Sequence, residues 1–174
     1  QLERQIREMV RNEDLEVLYQ PQISLAEGLK GFEACLHWSA SHATELMSVE
    51  EFIHVAEQSS LIEQVGEFVL ETVCEQMVEW VDLLQEHDLS MSISVSMREL
   101  ANPGFAERVI QTVEAHDLDP RRIKLAITES AIPPDLSRLQ GVLREFQAHG
   151  FRLCLDDFGT GYSSLAHLQQ IAVD

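Results

Sequence analysis

The sequence contains few cysteines and no long apolar run, and each of these absences excludes a class of protein. Its 174 residues include three cysteines, Cys35, Cys74 and Cys154, which lie far apart and without CxxC spacing. They predict small buried side chains in a reducing compartment and exclude a disulfide framework or a zinc site. No apolar run approaches the roughly 18 residues needed to cross a bilayer, so we expect a cytoplasmic protein.

Basic residues are missing from one long segment. From Gly31 to Met97 there is no Lys or Arg, whereas thirteen Asp or Glu residues occur, and the segment therefore contributes −13 to a net charge of −18. Because nucleic-acid affinity depends on Lys and Arg neutralising phosphates, we expect no contact with DNA, RNA or anionic membrane. A phosphate-ester substrate would need divalent cations to offset this field.

Strand and helix patterns alternate along the chain. The predicted strands are "LEVLYQPQI", "KGFEACLHW", "LSMSISVSM", "RRIKLAITES" and "FRLCLDD". The predicted helices are "LERQIREMV", "SVEEFIHVAEQ", a long one over 61–85, "PGFAERVIQTVEAH", "DLSRLQGVLREFQAHG" and "SSLAHLQQI". This order predicts parallel βα units in an α/β fold. Five strands are too few for a closed eight-stranded barrel of about 250 residues, and "AVD" at the end predicts the beginning of another strand.

Local signals mark several helix boundaries. Ser48 and Glu51 have the spacing of a capping box at a helix N-terminus, and Gly150 stands where a helix C-cap belongs. Within 61–85, glutamates recur every four residues on one side of the predicted helix. This acidic side predicts a solvated face, with a docking surface as the alternative. The glutamates are Glu63, Glu67, Glu71, Glu75 and Glu79.

Acidic and amide side chains fall at or near the ends of the predicted strands. They are Gln20, Glu33, Glu129, Asp156 and Asp157. In parallel α/β folds the chemistry collects at the carboxyl ends of the strands. Carboxylates that converge there can hold hard divalent cations, and two such cations suit in-line attack on a phosphodiester. A lone Asp at a strand end is more often a turn or cap residue, so spacing alone leaves both interpretations open.

Six segments, taken in order, carry a family resemblance. They are "LYQPQISL", "GFEACLHW", "FIHVAEQSSLIEQVGEFVL", "MSISVSMRELANPGF", "IKLAITES" and "LDDFGTGYSSLAHLQQIAVD". The sequence resembles the EAL-domain family of cyclic-di-GMP phosphodiesterases. The resemblance implies a modified TIM (β/α) barrel, of which residues 15–174 would form the N-terminal two-thirds, with about five βα units. Residues 1–14 resemble the helix or linker that joins a GGDEF domain to an EAL domain, so we expect a longer parent protein.

The resemblance also implies a site. Active members use Mg²⁺ or Mn²⁺ to open cyclic-di-GMP to linear pGpG. The implied metal ligands are Glu33, Glu129, Asp156 and Asp157, of which Glu33, Asp156 and Asp157 would be catalytic. The implied substrate-binding residues are Gln20, Cys35 and His37.

Three positions depart from the family pattern. Cys35 replaces a leucine, and His37 replaces an arginine that would give a permanently charged phosphate contact. Ser94 replaces the asparagine that serves as a metal ligand. The chain also ends before the strand that should bring the family's active-site lysine.

These departures leave two hypotheses for the function. One hypothesis is a catalytically impaired EAL-like module that acts as a cyclic-di-GMP sensor, or that docks a protein partner or a second copy of itself. The other is a metal-dependent phosphodiesterase that works in the full-length protein, because all four acidic candidates are retained.

Overall fold

The computed structural model describes residues 2–11, 14–38, 48–128 and 137–156. The strands are β1 (Leu15–Ser24), β2 (Gly28–Trp38), β3 (Ser90–Ser94), β4 (Ile123–Thr128) and β5 (Arg152–Asp156). The helices are α1 (Leu2–Arg11), α2 (Val49–Gln58), α3 (Ile62–Glu79), α4 (Val81–Glu86), α5 (Met97–Ala101), α6 (Phe105–Ala115) and α7 (Ser137–Ala148). A 3₁₀ turn, Pro120–Arg122, precedes β4. None of the helices in these ranges is long and apolar enough to cross a membrane.

The strands form one five-stranded sheet in the order β1-β2-β3-β4-β5. Strands β2 to β5 pair in parallel, and helices connect them. The predicted α/β fold is therefore confirmed as an incomplete TIM-like sheet. The predicted helix "SSLAHLQQI" and the final "AVD" lie outside the described residues.

The first strand differs from the prediction of parallel units. β1 pairs antiparallel with β2, which places Tyr19 opposite Ala34 and Gln20 opposite Glu33. Only residues 25–27 separate the two strands. A parallel crossover needs a dozen residues or more, so this short connection permits only a hairpin. Pro21 is tolerated inside β1 because β1 is the edge strand of the described sheet.

Helices cover one face of the sheet. Apolar residues of α3, α6 and α7 pack against the alternate strand residues that point toward them. Among the fully buried members on the strands are Met91, Ile123, Leu125, Ile127 and Leu153. Since side chains alternate along a strand, their neighbours in sequence face the opposite side. We call that opposite side the open face.

Helix α1 contributes to a second, smaller core. Ile6 and Met9 of α1 are buried against Phe52 of α2 and Leu15 of β1. The Trp38 ring stacks on Phe52 with 5.1 Å between the ring centroids. The division of the chain at residue 14 stays a prediction, although residues 2–11 are helical and their apolar side packs here.

Two boundaries show where local signals succeed and fail. Ser48 caps α2, and both hydrogen bonds of the predicted capping box with Glu51 are present. The single helix predicted over 61–85 is wrong, because the chain leaves helical geometry at Trp80, between α3 and α4. The Trp80 ring packs against Tyr19 and Phe32 at centroid distances of 5.1 and 5.0 Å. The helical periodicity continues across this one-residue break, so the pattern could not show it.

Candidate functional site

The open face gathers polar side chains from neighbouring strands. On β2, Glu33, Cys35 and His37 occur at every second residue, so they share this face. Tyr19 points the other way, since its hydroxyl donates to the Thr72 carbonyl of α3 at 3.4 Å. The next residue, Gln20, therefore lies on the open face.

The strand register arranges these residues in two rows. In the first row, Gln20 lies opposite Glu33, Glu33 beside Ser92, and Ser92 beside Lys124. The second row lies two residues further along the parallel strands. It runs from Cys35 through Ser94 and Ala126 to Cys154. We call this second row the small-residue row.

The structure brings together part of the predicted site. Glu33 and Cys35 are half-buried, and Gln20 is exposed. The Cys35 Sγ lies 4.0 Å from Gln20 Oε1 and 3.7 Å from the Glu33 carbonyl oxygen. Burial, and secondly the nearby Glu33 carboxylate, raise the pKa of the Cys35 thiol, so the thiol form dominates at neutral pH. His37 is exposed toward the end of β2, and Ser94 is exposed at the end of β3.

The described structure does not show the side chains of the other three predicted metal ligands. Asp156 is the last residue of β5, and its backbone pairs with Thr128 of β4. Its side chain lies outside the described part, as do Glu129 and Asp157. Their roles as metal ligands therefore stay predictions.

Other open-face residues were missed by the sequence reasoning. A cavity of about 250 Å³ is lined by Gln22, Glu33, Ser92, Lys124, Ala126, Cys154 and Leu155. The Ser92 hydroxyl donates to Gln22 Oε1 at 3.2 Å, which satisfies a serine that is 2% exposed. Alternation within each predicted strand could have placed these residues, except Leu155, on the same face as Glu33; Leu155 follows Cys154 and packs against the helix-covered core. Their order across the sheet depends on the register, which the sequence does not display.

The described residues do not by themselves make a cation site. Within 2–11, 14–38, 48–128 and 137–156, no three His, Cys, Asp or Glu side chains come together as metal ligands. Hard cations such as Mg²⁺ take oxygen ligands, several of them usually carboxylates. In this part of the chain Glu33 supplies one carboxylate, whereas the small-residue row supplies thiols, a hydroxyl and a methyl group.

Comparisons with known proteins agree with this geometry. The sequence model of the EAL domain matches residues 3–174. An uncharacterized signaling protein of Caulobacter vibrioides is 37% identical over 99% of this chain and 21% of its own length. The bifunctional diguanylate cyclase/cyclic di-GMP phosphodiesterase MucR of Pseudomonas aeruginosa is 33% identical over 98% of this chain and 25% of its own length. The chain thus spans about a quarter of these relatives.

Solved structures show the same fold. The PaMucR phosphodiesterase in complex with c-di-GMP superposes with a TM-score of 0.89 at 32% identity, over 99% of this chain and 70% of that chain. The EAL enzyme Bd1971, bound to cAMP and cyclic-di-GMP, gives a TM-score of 0.91 at 30% identity, over 99% of this chain and 48% of that chain. With the family match over 3–174 and the hairpin-plus-parallel sheet described above, this chain belongs to the EAL-domain family and resembles its cyclic-di-GMP phosphodiesterases.

Proposed function

We propose that this chain is a cyclic-di-GMP signalling module whose hydrolytic activity is impaired. It would act as a nucleotide sensor or as a domain that docks a protein partner. Two solved structures with at least 30% identity to this chain, those of PaMucR and Bd1971, have cyclic-di-GMP bound. The nucleotide would lie against the open face, where Gln20, Glu33 and Cys35 come together.

One observation carries the proposal of impairment. The row next to Glu33 on the open face consists of Cys35, Ser94, Ala126 and Cys154. None of these side chains is a carboxylate or an amide, although the resemblance implies an amide ligand at position 94. A serine hydroxyl is shorter than an asparagine side chain and leaves a gap at the ligand position. Changes around a metal site typically lower affinity or activity by about 10- to 100-fold.

The alternative function is an active Mg²⁺- or Mn²⁺-dependent phosphodiesterase in the full-length protein. It is favoured by the retention of Glu33 together with Glu129, Asp156 and Asp157. Those four residues would hold the cations, which would supply Lewis-acid chemistry at the phosphodiester. Gln20 and Cys35 would then orient the substrate beside Glu33, within the contacts that these residues already make.

The decisive experiment uses the full-length parent protein with Mn²⁺ and cyclic-di-GMP. Calorimetry measures binding, and chromatography measures pGpG. We expect binding with little turnover, and we expect Ser94→Asn to raise Mn²⁺ affinity if the small-residue row adjoins the cation site. Formation of pGpG that disappears in Glu33→Ala would support the alternative. If no nucleotide binds, both nucleotide functions are rejected, and partner docking is the proposal that stays.

We propose further that the module works in the cytoplasm and recognises a protein partner or a second copy of itself. A reducing compartment fits three cysteines that lie far apart in the sequence; Cys74 is buried, and Cys35 and Cys154 are half-buried. The acidic segment 31–97 continues to argue against DNA, RNA or anionic lipid as the partner.

A further inference from the structure

A second, larger cavity lies on the helix-covered side of the sheet. Its volume is about 840 Å³, and it lies between α2, α3 and α6 and the strands β2 and β3. Glu33, Cys35 and Ser94 of the open face also border the cavity, but strand alternation turns the side chains of Ala34 and Ile93 to the opposite side of the sheet. The cavity therefore lies on the opposite side of the sheet from the candidate nucleotide site, behind the strands that both share.

The walls of this cavity are mostly apolar, although the buried Glu99 of α5 also lines it. Its walls include Ile53, Val65, Val69, Ile93, Val95 and Val109. Pockets that bind small organic molecules typically measure about 300–1,000 Å³ and have mostly apolar walls with a few polar groups. The cavity fits this range, and its walls suit an aliphatic or aromatic body.

The mouth of the cavity is acidic. Arg108 Nε of α6 lies 3.8 Å from Glu67 of α3, and His116 Nε2 lies 3.7 Å from Glu71. The Arg108–Glu67 ion pair and the His116–Glu71 contact connect the two helices and engage both basic side chains there. Glu63, one turn earlier on α3, also lines the cavity and makes no ion pair with any described residue. A polar head group at the mouth would therefore meet a net negative field, which favours a cation.

We propose that this cavity binds an amphiphilic cation, with its apolar body between α3, α6 and the sheet and its ammonium or guanidinium head beside Glu63 and Glu67. The inference is independent of the proposed function, because it involves neither cyclic-di-GMP nor a metal ion. It would give the module a second, chemically different ligand on the back of the strands that carry Glu33 and Ser94.

Calorimetry on the full-length protein tests the proposal with decylammonium and decanesulfonate, each below its micelle concentration, and with 1-decanol below its solubility limit. We expect saturable one-site binding of decylammonium, and at least about tenfold weaker binding of decanesulfonate. Val69→Phe would fill the cavity and reduce decylammonium binding at least about tenfold. The matched control is Val78→Phe on the same helix, where the side chain is 44% exposed and lies outside the cavity, and it should leave binding unchanged.

Glu63→Gln removes the negative charge at the mouth of the cavity and leaves its apolar walls unchanged. It should weaken binding of decylammonium severalfold and leave binding of 1-decanol unchanged. Equal binding of the cation and the sulfonate, equal effects of the two phenylalanine variants, or the absence of saturable binding would each overturn the proposal.

Discussion

Gly66 of α3 is packed against a buried carboxylate, and this contact allows a sharp test of the packing. A Cβ at position 66 would lie 1.9 Å from Glu99 Oε1. Glu99 is 5% exposed, and its Oε2 accepts hydrogen bonds from the Ser96 backbone nitrogen at 2.9 Å and the Ser96 hydroxyl at 2.6 Å. The carboxylate cannot move away from a new methyl group without lengthening these bonds.

Two opposing terms set the expected effect of Gly66→Ala. Alanine is favoured over glycine inside a helix by about 1 kcal/mol. Loss of hydrogen bonds to a charged acceptor costs about 1.5–3 kcal/mol each. If the displaced Glu99 carboxylate loses the equivalent of one such bond, Gly66→Ala lowers the free energy of unfolding by about 0.5–2 kcal/mol.

Urea denaturation followed by circular dichroism measures this change, with a matched control and a double mutant. Gly141 lies inside α7, and a Cβ there would meet nothing within 4 Å, so Gly141→Ala should stabilise by about 1 kcal/mol. In a Glu99→Ala background the obstacle at Gly66 is absent, and Gly66→Ala should also stabilise. The packing argument is refuted if Gly66→Ala stabilises the wild type as Gly141→Ala does.

Three further predictions concern other buried contacts. Burial raises the pKa of Glu99, so its stabilising contribution is present below the unfolded-state pKa of about 4.3 and is lost as pH rises through its higher folded-state pKa. Glu99→Gln, which keeps the capping geometry, should therefore unfold at a higher temperature than wild type at pH 7.5 and show a smaller difference at pH 4. Gly31→Ala would bring a Cβ to 2.0 Å from the Ser90 carbonyl oxygen, where β2 pairs with β3. We expect the free energy of unfolding to fall by at least about 3 kcal/mol. Near-wild-type stability in urea would contradict the register of these two strands. Arg122→Met removes the guanidinium that donates a hydrogen bond to the Leu84 carbonyl at 2.8 Å. Calorimetric unfolding should show that the free energy of unfolding falls by about 2 kcal/mol. An unchanged unfolding temperature would show that this hydrogen bond does not stabilise the fold.

Position 94, where the family resemblance implies an asparagine, has another short residue beside it on the neighbouring strand. Ser94 ends β3, and Ala126 pairs with it on β4. Neither side chain carries a carboxylate or an amide that could bind a cation beside Glu33. We expect Ser94→Asn alone to recover only part of the cation affinity, because the other residues of the small-residue row supply no carboxylate or amide.

The sequence by itself determined which segments become strands and helices wherever the signal is local. The capping box of Ser48 and Glu51 lies within four residues and appears in the structure as predicted. Gly150, expected at a helix C-cap, adopts a φ of +92° just beyond α7, a conformation that glycine adopts readily. The family resemblance likewise depended on short segments whose order along the chain can be read directly.

Only the tertiary structure decided how those segments meet. The break at Trp80 and the burial of Glu99 against Gly66 both depend on partners tens of residues away along the chain. The small-residue row depends in the same way on register across strands β2 to β5. Such pairings arise because the sheet buries one face and aligns each strand with its neighbours, and a one-residue slip would turn every side chain to the other face. The local sequence pattern of one strand does not show which residues of the neighbouring strand it pairs with.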